Sequence, residues 1–378
     1  NFSAKTLSRI SKIFNKEIIT MGNETTDFQI TGGYKLRGTI ETNTSKNIAV
    51  ALLCASLLNS NKTILKKMPR IEEVYRVIEV LQSIGVPVRW TNGNDIEIVP
   101  PKELALSQIH MEAAMKTRSV ILLLGPLIHL LPRFKLPHPG GCKLGKRTVR
   151  PHLFALEKLG VKIQTKDDYY EVRTNTLRPA EIILYESGDT TTENVIMAAA
   201  KIPGKTIIKF ASANYMGQDL CWFLAQLGIK IEGVGTTTLT VHGKPEINKP
   251  ITYYPSEDPI ESMLFLSLAA TTGSSITIKR CPIDFLELEL LKLEKMGQRL
   301  SIVRTYPSAS GVFTLADISL QPSKLHALED KIYARPFPGL NIDNLPFFVP
   351  VATQATGITL IHDWVYENRA IYYTELEK

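Results

Sequence analysis

No apolar run in this 378-residue chain approaches the roughly 20 residues that a helix needs to cross a bilayer, so no membrane span or membrane partner is expected. Cysteine is scarce. Four occur, at positions 54, 142, 221 and 281, with no CxxC pair, and Cys54, Cys221 and Cys281 sit inside apolar stretches. That pattern argues against a disulfide framework or a cysteine-built zinc site and for buried thiols in a reducing cytoplasm. The seven histidines are scattered and form no HExxH pair, so neither a metal nor a cofactor is expected. The net charge of +7 is modest, and the basic residues are not interleaved with aromatics, which make up only 8% of the chain. This points away from nucleic acid and towards small anionic ligands.

What is present is the composition of an ordinary globular chain, 44% hydrophobic and 21% charged, long enough for two domains with sizeable cores. Residues 1–20 carry Lys5, Arg9, Lys12 and Lys16 against one acid, Glu17, with Leu7, Ile10, Phe14 and Ile18 near helical spacing. They read as an N-terminal extension, a targeting presequence or an added helix, with Met21-Gly22 opening the domain proper.

The remainder repeats itself. Each copy has an apolar helix, a Gly or Asn turn, a β-branched run, and a second helix that ends in Leu-x-x-Gly or a close variant before another strand. The copies read Ile48 to Leu58 with Ile71 to Gly85, Val195 to Ile202 with Met216 to Gly228, and Ile260 to Ala270 with Phe285 to Gly297; a partial copy runs from Arg118 to Leu131 and from Val149 to Gly160. A glycine after the last apolar residue is a helix stop, and the β-branched runs are strand signals. The period of about 65 to 70 residues predicts a chain of α/β units. A last copy starts at Leu345 to Thr353, continues through the strand Gly357 to Ile361 and then Tyr366 to Lys378, where the closing strand of the other copies is missing.

One loop stands apart: Pro139-Gly140-Gly141-Cys142-Lys143-Leu144-Gly145-Lys146-Arg147. Its glycines let the backbone approach a ligand closely, and Lys143, Lys146, Arg147 and Arg150 surround Cys142 with positive charge. A thiol in such a field gains thiolate character, suited to a nucleophile or an acid-base group; a basic surface turn with an incidental cysteine is the alternative. Gly140, Gly145 and Lys146 imitate a P-loop, but that motif ends in Ser or Thr and position 147 is Arg. The preceding Phe134 to His138, with prolines close by, also make a poor buried parallel strand.

With the repeat and this loop in hand, the sequence resembles the enolpyruvyl transferases, and within them the branch acting on UDP-N-acetylglucosamine. The resemblance runs from about Phe28 to Lys378. It is carried by Ser45-Lys46-Asn47, Lys116-Thr117-Arg118 with the following Leu-Leu-Gly-Pro-Leu, Pro139 to Gly145 with Arg147, Asp258-x-Ile-Glu261, Pro338-Gly339 to Asp343, and Glu367-Asn368-Arg369. It implies a two-domain inverse α/β barrel of βαβαββ units, with residues 21–45 and 258–378 in one discontinuous domain and 46–257 in the other, which bears the cysteine lid loop. The implied reaction moves the enolpyruvyl group of phosphoenolpyruvate to the 3-hydroxyl of UDP-N-acetylglucosamine and releases phosphate, a step of peptidoglycan precursor synthesis and a fosfomycin target.

The same resemblance implies the roles. Lys46, Arg118 and Arg147 hold phosphoenolpyruvate, whose phosphate and carboxylate suit fixed cations, and Gly141, Cys142 and Arg147 lie on the lid. Cys142 is the acid that protonates carbon 3 and can add covalently to phosphoenolpyruvate, and Asp343 takes the proton of the sugar hydroxyl. Lys46 joins these two in the catalytic set, while Asn47 and Arg369 are further substrate contacts.

Each residue also has a plainer reading. Lys46 would cap the preceding turn, Arg118 would pair with Glu112, and Asp343 would cap the apolar helix that follows it. Asp258 and Glu261 have cap spacing, and for them the structural reading is favoured. Departures from the family pattern fall on the nucleotide side. Thr148-Val149-Arg150 replaces Pro-Val-Asp, Asp189-Thr190-Thr191 replaces Ser-Val-Gly, and Asp258-Pro259-Ile260-Glu261 lacks an arginine. Two family arginines are expected beyond Lys378. An enolpyruvyl transferase using another acceptor and a catalytically inactive paralogue therefore stand as alternatives.

Overall fold

The computed structural model describes residues 32–101, 103–105, 109–138, 140, 148–366, 369 and 372–377. They divide into two compact units. The larger holds Thr44–Ser256, Pro336–Pro338 and the described residues from Val365 on; the smaller holds the described residues up to Asn43, Glu257–Arg335 and Gly339–Trp364.

Strand β1 (Arg37–Glu41) belongs to the smaller unit, and the first repeat of the larger unit follows it. That repeat runs α1 (Lys46–Ala55), β2 (Thr63–Leu65), α2 (Glu72–Ser83), β3 (Val88–Thr91) and β4 (Asp95–Ile98). After α3 (Met111–Lys116), the 3-10 helix Arg118–Leu123 continues into α4 (Leu124–Leu127), then β5 (Arg133–Pro137), α5 (Arg150–Lys158), β6 (Val161–Thr165) and β7 (Tyr169–Thr174). The third repeat is β8 (Glu181–Ile183), α6 (Asp189–Ala200), β9 (Gly204–Lys209), α7 (Tyr215–Gln226), β10 (Lys230–Glu232) and β11 (Thr238–Gly243), closed by β12 (Ile251–Tyr253). The smaller unit holds α8 (Pro259–Thr272), β13 (Ser275–Pro282), α9 (Glu287–Lys295), β14 (Leu300–Pro307), β15 (Thr314–Leu320), β16 (Ile332–Tyr333), α10 (Phe348–Thr353) and β17 (Ile361–His362). The short α11 (Tyr372–Leu376) falls in the larger unit.

Helices lie inside and sheets outside. In α1 every residue from Ile48 to Ala55 is buried, and in α6 every residue from Thr191 to Ala200; helices covered on all sides belong in a core. In the larger unit the sheets have orders β12-β2-β4-β3, β5-β7-β6 and β10-β11-β9-β8, and in the smaller β1-β13-β15-β14 and β16-β17. β1 and β13 pair in parallel, as do β2 and β12. The fold is thus α/β with an inverse-barrel layout. The helix-stop glycines behave as their position in the repeat predicts: Gly85, Gly160, Gly228 and Gly297 all have φ between +88° and +100°, a region that side chains with a Cβ avoid.

The stretch before the glycine loop is, as expected, no buried parallel strand: β5 is an antiparallel edge strand paired with β7, where Pro137 is tolerated because an edge leaves N–H positions unused. The strand expected over Gly357 to Ile361 is reduced to Ile361–His362, because β16 pairs with only those two residues. Ile358 is left 92% exposed.

Candidate active site

Lys46 is the first residue of α1, and Arg118 the first of its 3-10 helix. Both therefore stand where backbone N–H groups have no partner within the helix and the local potential is positive. Lys46 caps no turn. Its Nζ lies 2.7 Å from Glu73 Oε2, on the first turn of α2. Glu73 Oε1 accepts from Thr117 Oγ1 at 3.1 Å and from Ser119 Oγ, the neighbours of Arg118 on either side. One carboxylate thus ties Lys46 to the segment carrying Arg118. Burial pushes the Glu73 carboxyl up, but the Lys46 ammonium and the Ser119 and Thr117 hydroxyls outweigh it and hold it below the ordinary carboxylate range. The expected partner of Arg118, Glu112, accepts from Lys116 one helical turn on, at 2.5 Å.

Asn47 Nδ2 donates to Tyr215 Oη at 3.3 Å, and Ser45 Oγ lies 2.9 Å from the same oxygen. Tyr215, fully buried at the start of α7, so fixes the turn into α1. Beneath Arg118 lies a buried polar cluster. Asn194 of α6 accepts from Gly125 N at 2.7 Å, donates to Ile121 O at 2.8 Å and donates to His152 Nδ1 at 3.0 Å. Since Nδ1 must accept, the imidazole proton sits on Nε2, which faces Thr190 Oγ1 at 3.5 Å. Burial, reinforced by the Arg118 charge, pushes His152 down to about 3, so the ring is neutral. Gly125 is required there: a Cβ would stand 2.7 Å from Asn194 O.

In the smaller unit Asp343 lies in the turn 341–344, where its N–H donates to Asn341 Oδ1 at 2.9 Å. It is not the helix cap. The 3-10 helix Leu345–Phe347 that precedes α10 starts one residue later, after Asn344, so the capping reading of Asp343 is replaced. Asp258 is a cap, as its spacing suggests, accepting from the N–H of Ile260 at 2.9 Å and of Glu261 at 3.4 Å, with Pro259 at the first helical position. Glu261 reaches back to Asn43, accepting from its N and Nδ2 at 2.5 and 2.7 Å. Arg369 is buried, with its guanidinium 4.8 Å above the Tyr366 ring. Gly141, Cys142 and Arg147 lie outside the described residues.

The departures also find places. Asp189 opens α6 and accepts from Ser212 Oγ at 2.5 Å and Asn214 Nδ2 at 3.4 Å; the helix N-terminus and these donors hold its charge within the fold. Thr191 is buried, and Arg150 opens α5. Glu73, Thr117, Ser119, Tyr215, His152 and Asn194 were missed as candidates. The signal available was faint: polar residues within or beside apolar helices, with partners far away in the sequence, as Glu73 and Thr117 or Ser45 and Tyr215 are.

Buried helices enclosed by sheets define an α/β protein of the inverse-barrel kind, and the comparisons say to which family it belongs. Residues 30–378 match the family model described as EPSP synthase (3-phosphoshikimate 1-carboxyvinyltransferase), and the chain belongs to this family of enolpyruvyl transferases. Among curated relatives, the UDP-N-acetylglucosamine 1-carboxyvinyltransferase of Bradyrhizobium diazoefficiens is 32% identical over 92% of this chain and 79% of its own. Proteins of the same name from Campylobacter fetus (32%, covering 93% and 81%) and Thermodesulfovibrio yellowstonii (30%, 92% and 80%) are similar to it as well. Among solved structures, the enolpyruvyl transferase NikO from Streptomyces tendae superposes with a TM-score of 0.76 at 19% identity, over 92% of this chain and 79% of that one. An EPSP synthase from Acinetobacter baumannii gives 0.66 at 17%, over 87% and 74%. At these identities the structural likeness speaks for the fold alone.

Proposed function

We propose that the chain is a UDP-N-acetylglucosamine 1-carboxyvinyltransferase, transferring the enolpyruvyl group of phosphoenolpyruvate to the sugar 3-hydroxyl and releasing phosphate, in the service of peptidoglycan and cell shape. Relatives of that name, similar over about four-fifths of their length, support the reading. The geometric observation that carries it is the link through Glu73 between Lys46 and the segment of Arg118. Two cations at helix starts suit a ligand that bears both a phosphate and a carboxylate.

In the proposed division of labour, Lys46, Arg118 and Arg147 bind phosphoenolpyruvate, with Gly141 giving the lid backbone its close approach. Cys142 delivers a proton to carbon 3, Asp343 removes the hydroxyl proton, and Asn47 and Arg369 complete the substrate contacts. No cofactor or metal enters this scheme. No helix among the described residues is long and apolar enough to cross a membrane. Cys54, Cys221 and Cys281 are free and buried, which suits the proposed cytoplasmic location, and the proposed partners are these small molecules, not nucleic acid. Asp189, an added carboxylate at the start of α6, favours as second reading an acceptor with less negative charge than a nucleotide diphosphate. Comparing UDP-N-acetylglucosamine with uncharged amino sugars as acceptors separates the two.

The test is phosphate release from phosphoenolpyruvate with and without acceptor, for the parent chain and Cys142→Ala. Phosphate should appear only when both substrates are present and vanish in the variant. Cys142→Asp should keep turnover and resist alkylation by fosfomycin. Release of phosphate without acceptor, or undiminished turnover in Cys142→Ala, would refute the assignment.

A further inference from the structure

The second helix of each repeat sends one polar side chain to the start of the next inner helix. From α2, Glu73 accepts from Thr117 and Ser119 at the 3-10 helix that leads into α4. From α5, His152 meets Asn194 and Thr190 in the first turns of α6. From α7, Asp219 accepts from Ser256 N at 2.8 Å, just ahead of α8. From α9, Glu289 Oε1 accepts from Asn344 Nδ2 at 2.8 Å and Asn341 N at 3.3 Å, just ahead of α10. All four latch residues are largely screened from water: His152, Asp219 and Glu289 are at most 3% exposed, and the Glu73 side chain 24%. Core packing alone would place apolar side chains at such positions; here polar ones are kept, and each bonds to a helix start.

Two of the latched segments carry residues of the proposed reaction. Arg118 lies between the two hydroxyl donors to Glu73, and Asp343 lies between Asn341 and Asn344, the two residues held by Glu289. An arginine or a carboxylate at a helix start is useful only if its backbone is fixed to within a fraction of an ångström. We propose that these latches are positioning residues of the transfer reaction, and that Glu73 in particular sets Lys46 and Arg118 for phosphoenolpyruvate. This rests on the enolpyruvyl-transfer reading above.

Electrostatics and positioning predict opposite signs here. Removing a negative charge beside an anion site would by itself tighten anion binding; releasing the segment of Arg118 would weaken it. Steady-state phosphate release is measured on the full chain for the parent, Glu73→Gln, Glu73→Asp and Ser119→Ala, each with its thermal midpoint. A parent chain without activity would overturn the functional reading on which the latch stands. With an active parent, Glu73→Gln is expected to raise the KM for phosphoenolpyruvate about tenfold while the KM for the acceptor stays within about twofold. Glu73→Asp should recover part of the loss, and Ser119→Ala should shift the same KM in the same direction by less. A lowered or unchanged KM for phosphoenolpyruvate in Glu73→Gln, even with a lowered midpoint, would overturn the latch. If Glu73→Gln does not fold, Ser119→Ala decides, and an unchanged KM there would overturn it equally.

Discussion

Lys46 shows how the surroundings of a residue set what its removal should do. Its side chain is 44% exposed and its ammonium is paired with the Glu73 carboxylate, and ion pairs of that exposure contribute about 1 kcal/mol or less to folding. The same group opens α1, whose residues Ile48–Ala55 are buried, and in the proposed role a fixed cation there stabilises charge that develops on a departing phosphate. Lys46→Ala should therefore lower kcat/KM for phosphoenolpyruvate by at least about 100-fold, while the denaturant midpoint barely moves. A matching fall in midpoint and activity would mean that Lys46 serves the fold instead.

The elements share a buried polar seam among α5, α6 and the 3-10 helix before α4, with His152 at its centre. Its neutral ring, pushed down to about 3 from an ordinary 6.5, binds no proton in the folded state where the unfolded chain does. Stability from this site is complete above about pH 6.5 and is lost as pH falls towards 3. The limiting slope is about 1.4 kcal/mol per pH unit for one proton. His129, donating from Nε2 to Ala198 O at 2.7 Å and pushed down by burial to about 4, acts in the same window. His152→Gln can keep both hydrogen bonds without titrating, so denaturant unfolding between pH 6.5 and 4 should show a slope smaller by up to one proton; an unchanged slope would place the missing protonation elsewhere. Such seams explain what the sequence conceals at this scale. The repeat could be read because its signals are local: apolar runs such as Ile48 to Leu58, β-branched runs, and glycines such as Gly85 that need positive φ. The cap at Asp258 could be read for the same reason. Glu73 and Glu289 could not, since each is one acid in an amphipathic helix whose partners arrive 44 to 55 residues later. The plainer reading of Asp343 as a cap fails because an apolar run does not say at which residue its helix begins.

For the molecule as a whole, a buried-helix α/β fold, a family model matching residues 30–378 and cations at inner helix starts converge on enolpyruvyl transfer. They differ in reach: the fold alone leaves the acceptor open, the cations suit an anionic ligand, and the curated relatives bring in UDP-N-acetylglucosamine. Asp189 is the departure that bears most on the acceptor, and its carboxylate is held by Ser212 and Asn214 within the larger unit, which makes it a built-in part of the fold. The most direct test is the mass spectrum of UDP-N-acetylglucosamine after incubation with the full chain and phosphoenolpyruvate. The account predicts a product in which an enolpyruvyl group replaces the 3-hydroxyl hydrogen, formed in step with the phosphate released. Phosphate release with an unmodified sugar nucleotide, or no product from folded protein at saturating substrates, would contradict it.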